Sequence, residues 1–187
     1  MSSFPADGPL LVVMAGRPGT GKTTLARRIA TALRAAYLRI DAIETAIVRS
    51  GLATPPVGPV GYAVAQEVAA GTLAAGVSVV ADAVNPVPEA RAGWRDLAAR
   101  TGTRMVVFET RIPDEGEHRR RVTARTPDLA GQAVPAWDQV TAAEYVAWDD
   151  LRDGPRHLID MTDTSAGVRA ALDVLGRGPT GGRLRPG

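Results

Sequence analysis

Leu10-Leu11-Val12-Val13-Met14-Ala15-Gly16-Arg17-Pro18-Gly19-Thr20-Gly21-Lys22-Thr23-Thr24 decides the fold of this chain. Its first six residues are a short continuous apolar run, the pattern of a strand buried on both faces. Its last eight before Thr24 fit G-x-x-x-x-G-K-[ST] at every fixed position. After them, residues 24–35 place Leu25, Ile29 and Leu33 on one helical face. Strand, glycine loop and helix form the setting in which that pattern binds phosphate. Gly16 and Gly21 let backbone approach an oxyanion without a Cβ in the way. Successive N–H groups and the helix N-terminus then face the anion. The loop residues Gly16, Arg17, Pro18, Gly19, Thr20 and Gly21, with Lys22, Thr23 and Thr24, are the expected nucleotide-binding set. Lys22 is expected at the β- and γ-phosphates of ATP and the Thr23 hydroxyl at Mg²⁺. Lys22 is also the only lysine among 22 basic residues. Arginine serves on most solvated surfaces, but it does not replace a compact ammonium in a tight phosphate cradle.

Outward from the loop, strands alternate with helices. Residues 37–41 read as a second strand ending in Asp41, followed by a helix to about 50. Residues 54–59 contain Pro55, Pro56 and Pro59 and cannot be helix; they are expected to border an acceptor pocket. A helix over 60–75 precedes a third strand, 77–82, ending in Asp82. The helix at 88–100 ends at Gly102, and a fourth strand follows at 103–109. A charged helix spans 114–125, a Pro/Gly loop 126–135, and a further helix runs from 137 or 138 to about 148. The fifth strand is 157–161, and the last helix is 165–175 with Ser165 as a plausible N-cap. This alternation predicts an α/β fold with a parallel sheet covered by helices on both faces. One domain is expected over 1–176, with 177–187 a loose tail.

Composition narrows the function. The 187 residues are 45% hydrophobic and only 4% aromatic, with a net charge of +2. The small charge argues against long nucleic acid as a partner, and no basic, aromatic-interleaved strand of the RNA-binding kind is present. The absence of cysteine removes disulfides and thiolate metal sites. No apolar run approaches a membrane span, and no signal peptide is visible, so a cytoplasmic protein without membrane contact is expected.

Three further features carry chemistry. Asp82, at a strand end, reads as a ligand of the Mg²⁺ shell or as the cap of the next turn. Asp41, also at a strand end, reads as the group that accepts a hydroxyl proton during phosphoryl transfer, or as an N-cap with Glu44 as its capping-box partner. Arg121 and Arg125 lie four apart on one helix. Glu117 pairs with Arg121 by spacing, but Arg125 has only a like charge at that distance, so an anion between the two is expected. A transferring phosphoryl group is such an anion, with Arg120 as a further donor. Arg91 reads equally as a cleft or a surface residue, and Arg49 likewise. Trp94, Trp137 and Trp148 read as packing residues, and His118 and His157 as structural. Asp128-Leu129-Ala130-Gly131 fits D-x-x-G, but it does not follow a buried strand and is read as chance.

Together the loop 16–23, Asp41, the strand end Val79-Val80-Ala81-Asp82-Ala83 and the Arg121-x-x-x-Arg125 pair resemble the small P-loop kinases of the AAA_33, zeta-toxin and chloramphenicol phosphotransferase-like group. The resemblance implies a five-stranded parallel sheet of order 2-3-1-4-5 and a helical lid at about 113–140. It also implies a strand-two carboxylate as general base (Asp41), lid arginines on the phosphates (Arg121, Arg125), and adenine near 161–164. The expected activity is ATP- and Mg²⁺-dependent transfer of phosphate to a hydroxyl of a small molecule: an antibiotic, sugar, nucleoside or nucleotide derivative. The acceptor segment 51–61 matches no substrate signature. The alternatives are a toxin-like or RNA-end kinase with a larger acceptor, and a nucleotide-binding ATPase switch. A GTPase is disfavoured because its Asn-Lys-x-Asp motif needs a second lysine. A monomer or a homodimer is compatible with all of these.

Overall fold

Both faces of the strand Leu10–Ala15 (β1) are covered, which is why five of its six residues are buried and none is charged. The computed structural model describes residues 8–176; the expected tail, 177–187, lies outside them. β1 is central. It pairs with β3 (Val79–Asp82) on one side, Val12 opposite Val80, and with β4 (Arg104–Arg111) on the other, Val12 opposite Val106. β2 (Ala36–Arg39) flanks β3, and β5 (His157–Asp160) flanks β4. All four pairings are parallel, and the order is β2-β3-β1-β4-β5, as the resemblance implied.

Alternation along β1 assigns its side chains to two cores. Leu11, Val13 and Ala15 pack against α3 (Val60–Ala74) and α4 (Pro88–Thr101) through Ala65, Ala69, Trp94 and Leu97. Val12 and Met14 pack against α1 (Lys22–Leu33) and α8 (Thr164–Gly176) through Leu25, Ile29, Ala171 and Leu175. The contact face of α3 is Gly61, Ala65, Ala69 and Leu73. These recur every four residues, and their small side chains bring the helix close to the sheet. Because β1 has neighbours reached by opposite crossovers, a crevice opens at its carboxyl end, where the loop 16–23 lies.

Several boundaries differ from the sequence reading. The second strand stops at Arg39, and α2 (Ile40–Arg49) begins at once, so Asp41 is the second residue of a helix and makes no capping bond. The charged helix, α5 (Glu115–Thr123), ends two residues before Arg125. The helix expected to about 148 stops early, as α6 (Trp137–Ala142), and the chain then runs irregularly to α7 (Asp150–Asp153). Distant partners take the backbone groups that a longer helix would need. Arg17 bonds the carbonyls of Val140 and Ala143, Arg91 bonds that of Val146, and the Val146 N–H donates to Pro86. The cap of α8 is also displaced: Asp163 accepts from the Ala166 N–H, and Ser165 lies inside the helix.

Candidate active site

The loop 16–23 is built so that no side chain larger than hydrogen fits at its glycines. Gly16 has φ 124°, and a Cβ there would lie 2.4 Å from the Thr110 carbonyl oxygen. A Cβ on Gly19 would lie 2.5 Å from Val122 Cγ2, on α5. Thr20 Oγ1 donates to the Arg17 carbonyl at 2.7 Å and meets Thr110 Oγ1 at 2.7 Å, which ties the loop to β4. Lys22 Nζ donates to the same Arg17 carbonyl at 2.8 Å, so the loop curls around its ammonium. Burial pulls the Lys22 pKa down to about 8, with Asp82 and then Asp41 acting the other way. An anion beside Nζ restores its charge. Among the described residues, the N–H groups of Gly19, Gly21, Lys22 and Thr23 meet no backbone acceptor. They form the donor nest that a phosphate fits.

Of the loop residues, Pro18, Gly19, Gly21, Lys22, Thr23 and Thr24 line a cleft of about 700 Å³. Arg17 points out of it. Its guanidinium bonds Val140 and Ala143 carbonyls at 2.7 and 3.3 Å and lies 5.1 Å from the Tyr145 ring centroid, so Arg17 fastens α6 to the loop. His118 does the same from α5, with Nε2 2.8 Å from the Pro18 carbonyl oxygen.

Asp82 and Asp41 both face this cleft. Asp82 is buried, and its Oδ2 accepts the Tyr37 hydroxyl at 2.6 Å. Its other oxygen has no hydrogen bond among the described residues. No group of three His, Cys, Asp or Glu gathers as a metal cage among the described residues. A Mg²⁺ ion here would therefore draw on Thr23 Oγ1, Asp82 and phosphate oxygens. This donor set fits its preference for hard oxygens and few protein ligands. Asp41 is held through one oxygen only. Its Oδ2 takes Arg39 at 3.1 Å and Gln132 Nε2 at 2.9 Å, with Arg125 at 3.7 Å. Its Oδ1 carries no hydrogen bond from the described residues.

Arg121 and Arg125 both reach the cleft, and each has its own protein partners there. Arg121 Nε bonds Glu117 at 2.6 Å, and its two terminal nitrogens bond the carbonyls of Met161 and Thr162 at 2.7 and 2.8 Å. Arg125, beyond the helix end, turns toward Asp41. Arg120 pairs with Glu117 on the exposed side.

Three residues at the site had no role in the sequence reading, and a fourth, Glu44, was read only as a capping partner. Arg39 is buried and holds both Asp41 and Asp128. Asp128, read as chance, also pairs with Arg27 at 2.9 Å and anchors the loop 126–135 over the cleft. Arg39 holds its carboxyl low, at a pKa of about 2. Gln132 steadies Asp41 from that loop. Glu44 lines the cleft one helical turn from Asp41. Arg91 takes neither of its expected places. It is buried, bonded to Asp153 at 2.8 Å, and stacked 4.6 Å from the Trp148 ring centroid, under the irregular segment 143–149.

The sheet order, the loop and the cleft define a protein of P-loop kinase architecture. The chain belongs to the AAA_33 family, whose model (AAA domain) matches residues 11–140. Solved structures of similar fold include Chaetomium thermophilum Kti12 in complex with ADP-AlF3. That protein is 19% identical, with TM-score 0.68 and coverage of 91% of this chain and 100% of that one. A gluconokinase from Sinorhizobium meliloti 1021 is 20% identical, with TM-score 0.63 and 94% of each chain covered. The Mycobacterium tuberculosis APS kinase CysC, in complex with AMPPNP and APS, is 19% identical, with TM-score 0.62 and coverage of 90% and 98%. No curated protein matches the chain. No helix among the described residues is long and apolar enough to cross a membrane.

Proposed function

We propose that this protein is an ATP- and Mg²⁺-dependent phosphotransferase acting on a hydroxyl of a small molecule. The observation that carries the reading is the single cleft joining the loop 16–23 to Asp41, whose Oδ1 is open. The fold neighbours named for ADP-AlF3 and AMPPNP support a nucleotide as the donor. Lys22 and the loop N–H groups would hold the β- and γ-phosphates. Thr23 and Asp82 would hold Mg²⁺, which when bound neutralises charge on the phosphates. The acceptor oxygen attacks the γ-phosphorus, its proton passes to Asp41 Oδ1, and the bond to the β-phosphate oxygen breaks, releasing ADP. Arg125, beside Asp41, would meet the transferring group. Arg121 would hold the 161–162 backbone on the base side of the nucleotide. The segment 113–140 would act as a lid, since α5 and the loop 126–135 cover the cleft.

The test is transfer of γ-label from ATP to pooled antibiotics, sugars, nucleosides and short RNA. Wild type is expected to label one pool, and Asp41→Asn to lose about 10²- to 10⁴-fold while still binding ATP. Undiminished transfer by Asp41→Asn removes Asp41 as the base. Label on RNA alone favours the RNA-end kinase. Acceptor-independent hydrolysis coupled to assembly favours a switch.

A further inference from the structure

Glu44 is the one charged group of the cleft wall with neither a hydrogen bond nor an ion pair among the described residues. The cations near it are already engaged. Arg27 pairs with Asp128, Arg39 with Asp128 and Asp41, and Arg125 lies at Asp41. Arg49, also on α2, is exposed and outside the cleft lining. Glu44 is nonetheless held in place. Its Cγ lies over Gly61 of α3, where a Cβ would be only 2.6 Å away. Three residues apart on α2, Asp41 and Glu44 lie on one face, with Cβ atoms about 5–6 Å apart. Pro55, Pro56 and Val57 also line the cleft and give it apolar surface. Gln132 holds Asp41 from the loop 126–135. Its Nε2 is committed to Asp41, and its Oε1 is buried with no donor.

This end of the cleft therefore offers two open acceptors, Asp41 Oδ1 and Glu44, while its nearest cations, Arg39 and Arg125, face Asp41 Oδ2. A half-buried carboxylate without a partner is costly, and burial, then the Asp41 charge, pushes the Glu44 pKa up to about 7. A ligand that brings a positive donor relieves that cost, whereas a ligand that brings a phosphate or carboxylate adds to it.

Resting on the phosphotransferase reading, we infer that the acceptor is a hydroxylated amine, whose ammonium pairs with Glu44 while its hydroxyl faces Asp41. Amino sugars and aminocyclitols are the simplest members of that class, and the proline wall suits their C–H faces. Glu44 is then the residue that selects the acceptor. The transfer itself is unchanged: the hydroxyl oxygen bonds the γ-phosphorus, its proton goes to Asp41, and ADP leaves with the electron pair.

The experiment measures kcat/KM for γ-label transfer to amino sugars and aminocyclitols. Their N-acetylated forms, parent polyols, and carboxylated and phosphorylated counterparts are run beside them. The free amine is expected to exceed its N-acetylated form by at least about tenfold, chiefly in KM, as a charged hydrogen bond is worth that much. Glu44→Gln is expected to bring that ratio toward one, and Glu44→Asp to retain part of it. Thermal melts of each variant separate misfolding from lost selection. Transfer that favours neutral or anionic acceptors, or a ratio that Glu44→Gln does not change, overturns the inference and leaves the kinase reading standing. ATP binding with no transfer to any acceptor overturns both.

Discussion

Removing the charge of Glu44 is expected to make the ligand-free protein more stable, by an amount that grows from pH 4.5 upward and is complete above about pH 7. In the unfolded chain this carboxyl loses its proton at its ordinary value of 4.5; in the fold it does so at about 7. Between those values the folded state binds more protons than the unfolded state, so stability falls as pH rises. The wild type is thus undiminished below pH 4.5 and carries the full penalty above 7. Each pKa unit is worth about 1.4 kcal/mol, so the gap sets a ceiling of roughly 3 kcal/mol. Partial solvent access reduces it to about 1–2 kcal/mol. Glu44→Gln keeps the shape and removes the titration. It should therefore match wild type at pH 4.5 and melt about 2–8 °C higher at pH 8, given the usual slope for a chain of this size. The assay is thermal unfolding of both proteins from pH 4.5 to 8.5 without nucleotide. A variant less stable than wild type at pH 8, or a difference constant across the range, would refute the placement of an unpaired Glu44 in a low-dielectric wall.

Four other outcomes follow from the geometry. Gly16→Ala should abolish ATP binding, measured by calorimetry, because the new Cβ would meet the Thr110 carbonyl backbone at 2.4 Å and φ is 124°. Arg91→Ala should cost about 2–4 kcal/mol in denaturant unfolding: Asp153 keeps Arg152, but the carbonyls of Asn85, Pro86 and Val146 each lose a donor under the segment 143–149. Arg125→Ala should lower kcat by about 10²-fold or more while changing stability by less than about 1 kcal/mol, since its partner Asp41 is 3.7 Å away and both are partly exposed. An unchanged kcat removes Arg125 from the transfer step. Asp128→Asn should speed proteolytic cleavage within 126–135, because both anchors of that loop, Arg27 and Arg39, depend on its charge.

The phosphate loop was legible because all its parts are adjacent in sequence, and the sheet because apolar runs such as Leu11-Val12-Val13 can be buried only between two helical layers. What the sequence hid depends on distant partners. The segment 143–148 has helical composition, yet Arg17 and Arg91 take its carbonyls from more than 50 residues away. Arg91 looked like a surface or cleft residue because Asp153, 62 positions on, gives no local sign. Asp41 was placed at the right end of the right strand but one element early, since Arg39-Ile40 reads equally as strand or helix start. Glu44 was visible only as a capping partner, and the helix began before the box could form. Arg121 showed both sides of the argument. Its i−4 pairing with Glu117 was readable from spacing, while its bonds to Met161 and Thr162 were not.

The charge pattern of the cleft gives it a direction. Arg27 and Arg39 line the cleft, and both bond Asp128 of the covering loop, so an anionic ligand on either one competes with that loop. Arg121 is bound to Glu117 and two carbonyls. Lys22, with the helix N-terminus behind it, is left for phosphate, and Arg125 stands at the junction, 3.7 Å from Asp41. At the far end the open groups are the carboxylate oxygens of Asp41 and Glu44. A ligand anionic at one end and cationic at the other fits this gradient in one orientation only. Nucleotide phosphate on the loop side and a hydroxylated amine on the α2 side together supply that polarity. The acceptor oxygen and the γ-phosphorus would then meet beside Asp41, where the two halves join. On this argument the buried pairs among the arginines set specificity as much as the open groups do, by removing positive charge from the end where the acceptor lies.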